Sequence, residues 1–325
     1  MEHDIKATNT IQTTHQTYRS FYTRVLHSLI RPFKPRLVSS EESFPAGSQR
    51  LIPHAKARKL CTIEQRQVDD MYVYDMLSKT AKAEAVNRRI YYFAGGGWKA
   101  PPSLQHWKFC AEICQRLPDT AVTVVSSPLA PDCPATIAIP RLKLFCNSVL
   151  KQSEELSESV VFGGDSSGGN LVLCLTLQTL MEDPESRRPK ALLIISPAVD
   201  LQQMQNEGIY AQTNRFDPVL SIDSHNEETE LWCGKQKRTE PWISPIEADV
   251  SVLANAGVKL IAVTGGYDIL TPDAMRFKAK CEAAGVAGHW LHWEQQMHCF
   301  PLAFIYGLPE SVQSKNWLVD RLAEV

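Results

Sequence analysis

The stretch from 159 to 180, SVVFGGDSSGGNLVLCLTLQTL, limits what this chain can fold into more than any other. Two apolar segments, neither with a polar face, flank a turn of Gly, Asp and Ser. The first is short enough for a strand covered on both faces, and Leu171 to Leu180 suits a helix buried all round. A strand buried on both faces needs helices above and below it. Short apolar runs recur at 89–93 (RIYYF), 121–125 (AVTVV), 191–196 (ALLIIS), 258–264 (VKLIAVT) and 289–294 (HWLHWE), with helical stretches between them. That alternation predicts an α/β fold with a mostly parallel central sheet of about eight strands and helices on both faces. Residues 65–78 are expected to add antiparallel edge strands. At 325 residues, 44% apolar and 22% charged, the chain fits one large domain better than two small ones.

Charge and cysteine usage narrow the partners. A formal charge of −2 offers no excess of cations to neutralise phosphates, so nucleic acid is not an expected ligand and a small molecule is. The nine cysteines are odd in number and unpaired in spacing, which favours a reducing compartment. The start, MEHDIKATNT, lacks the cationic and apolar regions of a signal peptide, and no run reaches the roughly 20 apolar residues of a membrane span. Cytoplasmic location without stable membrane insertion is the expectation; a homodimer is left open. Cys110 and Cys114 stand one helical turn apart, but no further Cys/His pair completes a metal site, so they are expected to be buried thiols.

Three segments stand outside the alternation. Residues 17–33 place Tyr18, Phe21, Tyr22, Val25, Leu26, Leu29 and Ile30 at helical spacing on one face. That stripe is expected to pack on the protein's own body; a membrane surface is the other reading. Residues 34–60 carry several prolines and predict an irregular connection. Residues 201–250 are polar and hold no convincing strand, so they form an insertion. Insertions of this kind emerge over the carboxyl ends of parallel strands, where ligands bind. The expected division is an N-terminal cap helix and connection over 1–60 and a main domain over 61–325 with a cap insertion at about 201–250.

Gly164-Asp165-Ser166-Ser167-Gly168 is a G-x-S-x-G motif directly between strand and helix. Such a turn is tight, and a side chain at either glycine would collide with the neighbouring strand or helix. The Ser166 hydroxyl is then exposed above the sheet, while the Ser167 N–H at the helix start can donate to a developing oxyanion. A phosphate loop is excluded, since no Gly-Lys-Ser/Thr follows.

A serine hydroxyl becomes a useful nucleophile only when a histidine takes its proton and a carboxylate orients that histidine. With a strand–serine–helix turn the carboxylate and histidine follow in that order. Asp268, in VTGGYDIL, lies just past the carboxyl end of the strand at 258–264. Asp273 competes, but Thr271-Pro272-Asp273 has the pattern of a helix start, with Thr as its cap. Asp200 follows the preceding strand and ranks third. His289 and His292 fall within the predicted last strand, whereas His298 follows it on a loop and is the expected base.

IYYFAGGGW at 90–98 puts three glycines at the end of the first long parallel strand, where successive N–H groups can converge on one point. At this stage the sequence resembles the hormone-sensitive-lipase-like branch of the α/β-hydrolases over about residues 88–305. AGGGW, SPLAPDCP, GDSSGGN, LLIISPAVDL, WISPIEA, GGYDIL and MHCF match family segments in order. The resemblance implies the α/β-hydrolase fold with a helical cap, ester hydrolysis, and oxyanion donors at Gly96, Gly97 and Ser167. One departure is Ala94, where the family carries a histidine that helps hold the glycine loop.

Together these readings predict a serine hydrolase working through an acyl-serine on a small to medium apolar carboxylic ester. Ser166 is the nucleophile, Asp268 and His298 its partners; no metal or organic cofactor is expected. Two other readings stay open at this point, a non-hydrolytic reaction such as cyclisation or carbon–carbon cleavage, and a silent ligand receptor.

Overall fold

The structure is a computed structural model that describes residues 10–34 and 44–325. Nine strands form one sheet: β1 (Ile11–Gln16), β2 (Cys61–Val68), β3 (Met71–Ser78), β4 (Arg88–Phe93), β5 (Thr120–Val125), β6 (Ser159–Asp165), β7 (Ala191–Ile195), β8 (Lys259–Gly265) and β9 (Gly288–Trp293). Their order across the sheet is β1-β9-β8-β7-β6-β4-β5-β3-β2. From β1 through β5 neighbouring strands run parallel, while β3 pairs antiparallel with both β5 and β2.

Among the described residues ten α-helices accompany the sheet: α1 (Phe21–Ile30), α2 (Ala55–Leu60), α3 (Leu104–Arg116), α4 (Ala135–Glu155), α5 (Ser167–Glu182), α6 (Gly208–Phe216), α7 (Ile222–Cys233), α8 (Ser251–Asn255), α9 (Thr271–Ala283) and α10 (Pro309–Leu322). The central strands are buried on both faces, and their side chains divide by parity. Tyr91, Phe93, Phe162 and Leu192 enter a core shared with α4, α5 and α9. Ile90, Tyr92, Val161 and Leu193 enter the core under α3 and α10. That is why these strands are continuous apolar runs rather than alternating ones.

The six predicted runs all become strands, within a residue or two at each end, and the weak pattern at 65–78 becomes the hairpin β2–β3. The ninth strand is β1, which pairs parallel with β9 from Ile11 opposite Gly288 to Gln16 opposite Trp293. It lies in the segment expected to hold only a cap helix and a connection. Only Ile11 of its six residues is buried, so an edge strand of this kind leaves almost no apolar pattern to detect. Within the connection expected over 34–60, α2 is a further helix, and residues 35–43 lie outside the described residues.

The first helix docks by its expected stripe only in part: Leu26 and Ile30 pack against the core under α3 and α10, and the rest of the stripe faces outward. Phe21, Tyr22 and Leu29 are exposed at 75%, 73% and 64%. Thr23 and His27 point inward instead. The reason is polar. Buried Glu310, in the first turn of α10, accepts from Ser20 Oγ at 3.0 Å, Thr23 Oγ1 at 2.7 Å and the Ser20 N–H. A buried carboxylate needs donors more than an aliphatic stripe needs cover, because leaving it unsatisfied costs more than exposing a few side chains. The same stretch also meets the insertion: Arg31 donates to Phe216 O at 3.2 Å and Lys34 to Asn214 O at 2.9 Å, both on α6.

Candidate active site

Parallel pairing sets the carboxyl ends of β4, β6, β7, β8 and β9 along one edge, with Phe93 opposite Gly164, Asp165 opposite Ile195, and Gly265 opposite Trp293. The glycine loop, Ser166, Asp268 and His298 each follow one of these ends. A cavity of about 420 Å³ opens there, lined by Gly96, Gly97, Ser166, Glu228 and His298 among polar or small groups. Val219, Leu220, Met297, Leu302 and Tyr306 supply its apolar walls.

Ser166 has φ 51° and ψ −121°, a conformation that costs a non-glycine residue about 1–3 kcal/mol. The surroundings hold it there. Its N–H donates to Ile195 O at 2.8 Å, and its carbonyl accepts the first helical bond of α5 from Asn170 at 3.0 Å. Both motif glycines are forced by close approach. A Cβ on Gly164 would lie 2.4 Å from the Gly168 backbone, and one on Gly168 would lie 1.9 Å from Phe93 O. The serine is thereby fixed at the amino end of a buried helix, whose dipole favours negative charge.

Asp268 is fully buried; its Oδ1 accepts the Leu270 N–H at 2.9 Å and its Oδ2 lies 2.9 Å from His298 Nδ1. With Nδ1 donating to the carboxylate, a neutral His298 keeps Nε2 free as a base. Burial alone would lower the His298 pKa, but the Asp268 charge overcomes it and raises the value well above 6.5. Nε2 lies 3.4 Å from Cys299 Sγ. Among the described residues no hydrogen bond joins it to Ser166 Oγ; such bonds often form only when substrate is bound.

The other acids and histidines lie elsewhere. Asp273, in the first turn of α9, accepts from Tyr210 at 2.6 Å and Arg276 at 2.8 Å. Asp200 accepts from Gln202 N and faces the same arginine. Thr271 does not cap α9; its hydroxyl donates to Gly265 O at 2.6 Å and so ties the helix to the end of β8. His292 bonds Thr264 and stacks on His15, and His289 pairs with Glu324. Cys110 and Cys114 are buried on α3.

The glycine loop has a support that the sequence did not reveal. Asp165, next to Ser166, accepts the Gly95 N–H at 3.0 Å and the Tyr92 hydroxyl at 2.8 Å on Oδ1. Its Oδ2 lies 3.1 Å from His106 Nε2 on α3. His106 Nδ1 accepts the Ser103 N–H at 2.9 Å, so the ring proton sits on Nε2 and is donated to Asp165. Burial would raise the Asp165 pKa, yet the His106 contact and these hydrogen bonds hold it below the ordinary value. Beyond this anchor Gly96 and Gly97 take φ of 138° and 60°, and among the described residues no backbone carbonyl accepts their N–H groups.

Two more groups face the site from the insertion. Asp217 accepts from Val219 N, Leu220 N and Ile269 N, tying the insertion to the turn that carries Asp268. Burial and then the Asp268 charge push its carboxyl up to about 6. Glu228, on α7, sits against Gly97. Both escaped sequence reading because they lie in a polar segment. The pair His225 and Glu228, three residues apart and both buried, was the only local hint.

A family model described as "alpha/beta hydrolase fold" matches residues 90–302. An esterase of Acinetobacter venetianus is 27% identical over 72% of this chain and 74% of its own length. Esterase LipU of Mycobacterium tuberculosis is 27% identical over 74% of this chain and 80% of its own. Among solved structures, the hormone-sensitive-lipase homologue EstE7 from a metagenome library superimposes with a TM-score of 0.71 at 20% identity, covering 92% of this chain and 98% of its own. EstE5 gives a TM-score of 0.74 at 20% identity, with 94% and 99% covered. With its central sheet matched from β4 to the loop after His298, this chain belongs to the α/β-hydrolase family, on the hormone-sensitive-lipase-like branch whose motifs it carries.

Proposed function

We propose that the protein is an ester hydrolase in which Ser166 is the nucleophile, His298 the general base and acid, and Asp268 the group that orients and stabilises His298. The observation that carries the reading is the junction of the buried 2.9 Å Asp268–His298 pair with a strained, helix-capping serine in one cavity. Ser166 Oγ attacks the ester carbonyl carbon as its proton passes to Nε2. The carbonyl oxygen becomes an oxyanion, held by the N–H groups of Gly96, Gly97 and Ser167. Collapse breaks the bond to the alcohol oxygen, which leaves with the proton from Nε2. Water then attacks the acyl-serine by the same route, and the acid departs.

The apolar walls suit a small to medium acyl chain. The cap over the site runs from Val219 and Leu220 into α7, and Arg31 and Lys34, just past the first helix, bond to α6 before it. Non-hydrolytic and receptor readings are not favoured, since the relatives are esterases by name and the Asp165–His106 anchor supports the loop where Ala94 stands. All nine cysteines are free thiols, which supports a reducing compartment such as the cytosol.

Turnover of p-nitrophenyl esters from acetate to dodecanoate tests the assignment. His298→Ala should lower kcat by about 10⁴-fold. His292→Ala and His289→Ala should stay within about threefold, since both rings are engaged away from the cavity. The opposite order would transfer the role of base to another histidine.

A further inference from the structure

Glu228 does something in this cavity that the reaction above does not use. It lies in the second turn of a cap helix, is only 4% exposed, and lines the same cavity as Ser166 and His298. Its carboxyl rests on the Cα of Gly97 so closely that a Cβ there would meet Cδ at 2.3 Å and the two oxygens at 2.5 and 2.6 Å. Its ion-pair partner is Lys99, whose Nζ stands 3.7 Å from Oε1, too far for a hydrogen bond. Oε1 is buried without a hydrogen-bond partner.

A buried carboxyl with an open acceptor is costly unless something fills it. Around it Val219, Leu220, Met297, Leu302 and Ala303 are apolar, while Ser103, Gln105 and His106 are already bonded to one another, to Tyr306 or to Asp165. A donor on a molecule in the cavity would fill it. Burial pushes the carboxyl up to about 7 against the pull of Lys99, so near neutral pH both its forms are populated and both retain a lone pair for a donor.

The reaction proposed above also sets which part of the ester carries that donor. The carbonyl oxygen must lie on the N–H groups of the glycine loop, and the leaving oxygen must face His298 to take its proton. The acyl side is then left against Gly97 and Glu228.

We propose that Glu228 determines specificity, accepting a hydrogen bond from a hydroxyl carried on the acyl chain two or three bonds from the ester carbonyl, so that hydroxyacyl esters are preferred over plain alkanoyl esters of the same length. This rests on the reading of the site as an ester hydrolase. A site built to bond a hydroxyl discriminates strongly against the analogue without one, because the buried acceptor is then left unpaired.

The test compares kcat/KM on p-nitrophenyl 3-hydroxybutyrate and p-nitrophenyl butyrate for the full-length wild type, Glu228→Gln and Glu228→Leu. The wild type should favour the hydroxy ester by about tenfold or more. Glu228→Gln, which keeps an acceptor oxygen, should retain part of that preference. Glu228→Leu should bring the ratio to one or below through loss on the hydroxy ester. Should the leucine variant fail to fold, as judged by thermal unfolding, the ratio in the glutamine variant against wild type decides. Butyrate turnover with a ratio that does not move among the three proteins overturns this inference alone and leaves Glu228 as a partner of Lys99. Turnover of neither ester, together with no fluorophosphonate adduct on Ser166, overturns the hydrolase reading beneath it.

Discussion

At the scale of single residues, the account turns on what holds His298 and the glycine loop. His298 must be neutral to accept the Ser166 proton, and the Asp268 charge holds its pKa above 6.5. The sign follows directly: kcat/KM should rise with pH through a limb above 6.5, and Asp268→Asn should move that limb down as well as lower the plateau. A limb at or below 6.5 in the wild type, read from a pH–rate profile, would contradict the buried ion pair. The second residue is His106. It steadies Asp165, which holds Gly95, so its loss should loosen the oxyanion donors without touching the substrate's binding walls. His106→Ala should lower kcat by about tenfold, less than the ~10² to 10³ of deleting a donor outright, with KM within about twofold. His106→Gln, which can still donate to Asp165, should recover most of the loss; an equal loss in both variants would make the role one of packing. These cases also show what a sequence displays. Ser166, Asp268 and His298 each follow a strand end beside glycines or a turn, so local pattern places them. His106 and Asp165 meet across 59 residues, and Glu228 sits in a polar helix that looks solvent-facing. Only the folded chain brings them to the cavity.

At the scale of elements, strand positions were legible wherever burial on both faces made a continuous apolar run, as in β4 to β9. β1 was not, because its partner β9 supplies the pairing while five of its own six side chains remain outside the core. The first helix shows the other kind of failure. Its apolar periodicity is real, but the face that docks is chosen by Glu310, a residue nearly three hundred positions away. Thr23→Val should therefore cost about 1–3 kcal/mol, since it leaves a buried carboxylate short of a donor. Leu29→Ser, on the exposed side, should stay within about 0.5 kcal/mol. Chemical denaturation of the two variants checks this. Leu29→Ser as the more damaging change would mean that the aliphatic face, not the polar one, docks in solution.

At the scale of the whole molecule, one mostly parallel sheet aligns the ends of β4, β6, β8 and β9, and the loops after them carry the glycine loop, Ser166, Asp268 and His298, to which the proposed reaction gives the roles of backbone donors, nucleophile, carboxylate and base. The segment over 201–250 adds Val219 and Leu220 to the apolar walls and brings two buried carboxyls, Asp217 and Glu228. The proposal makes Ser166 Oγ the atom that becomes acylated, and intact-protein mass after exposure to a fluorophosphonate tests that most directly. The wild type should gain a single phosphonyl adduct and lose ester turnover in proportion to labelling. Ser166→Ala should gain none and show no turnover. An adduct that persists in Ser166→Ala, or a wild type that turns over esters while remaining unlabelled, would contradict the account.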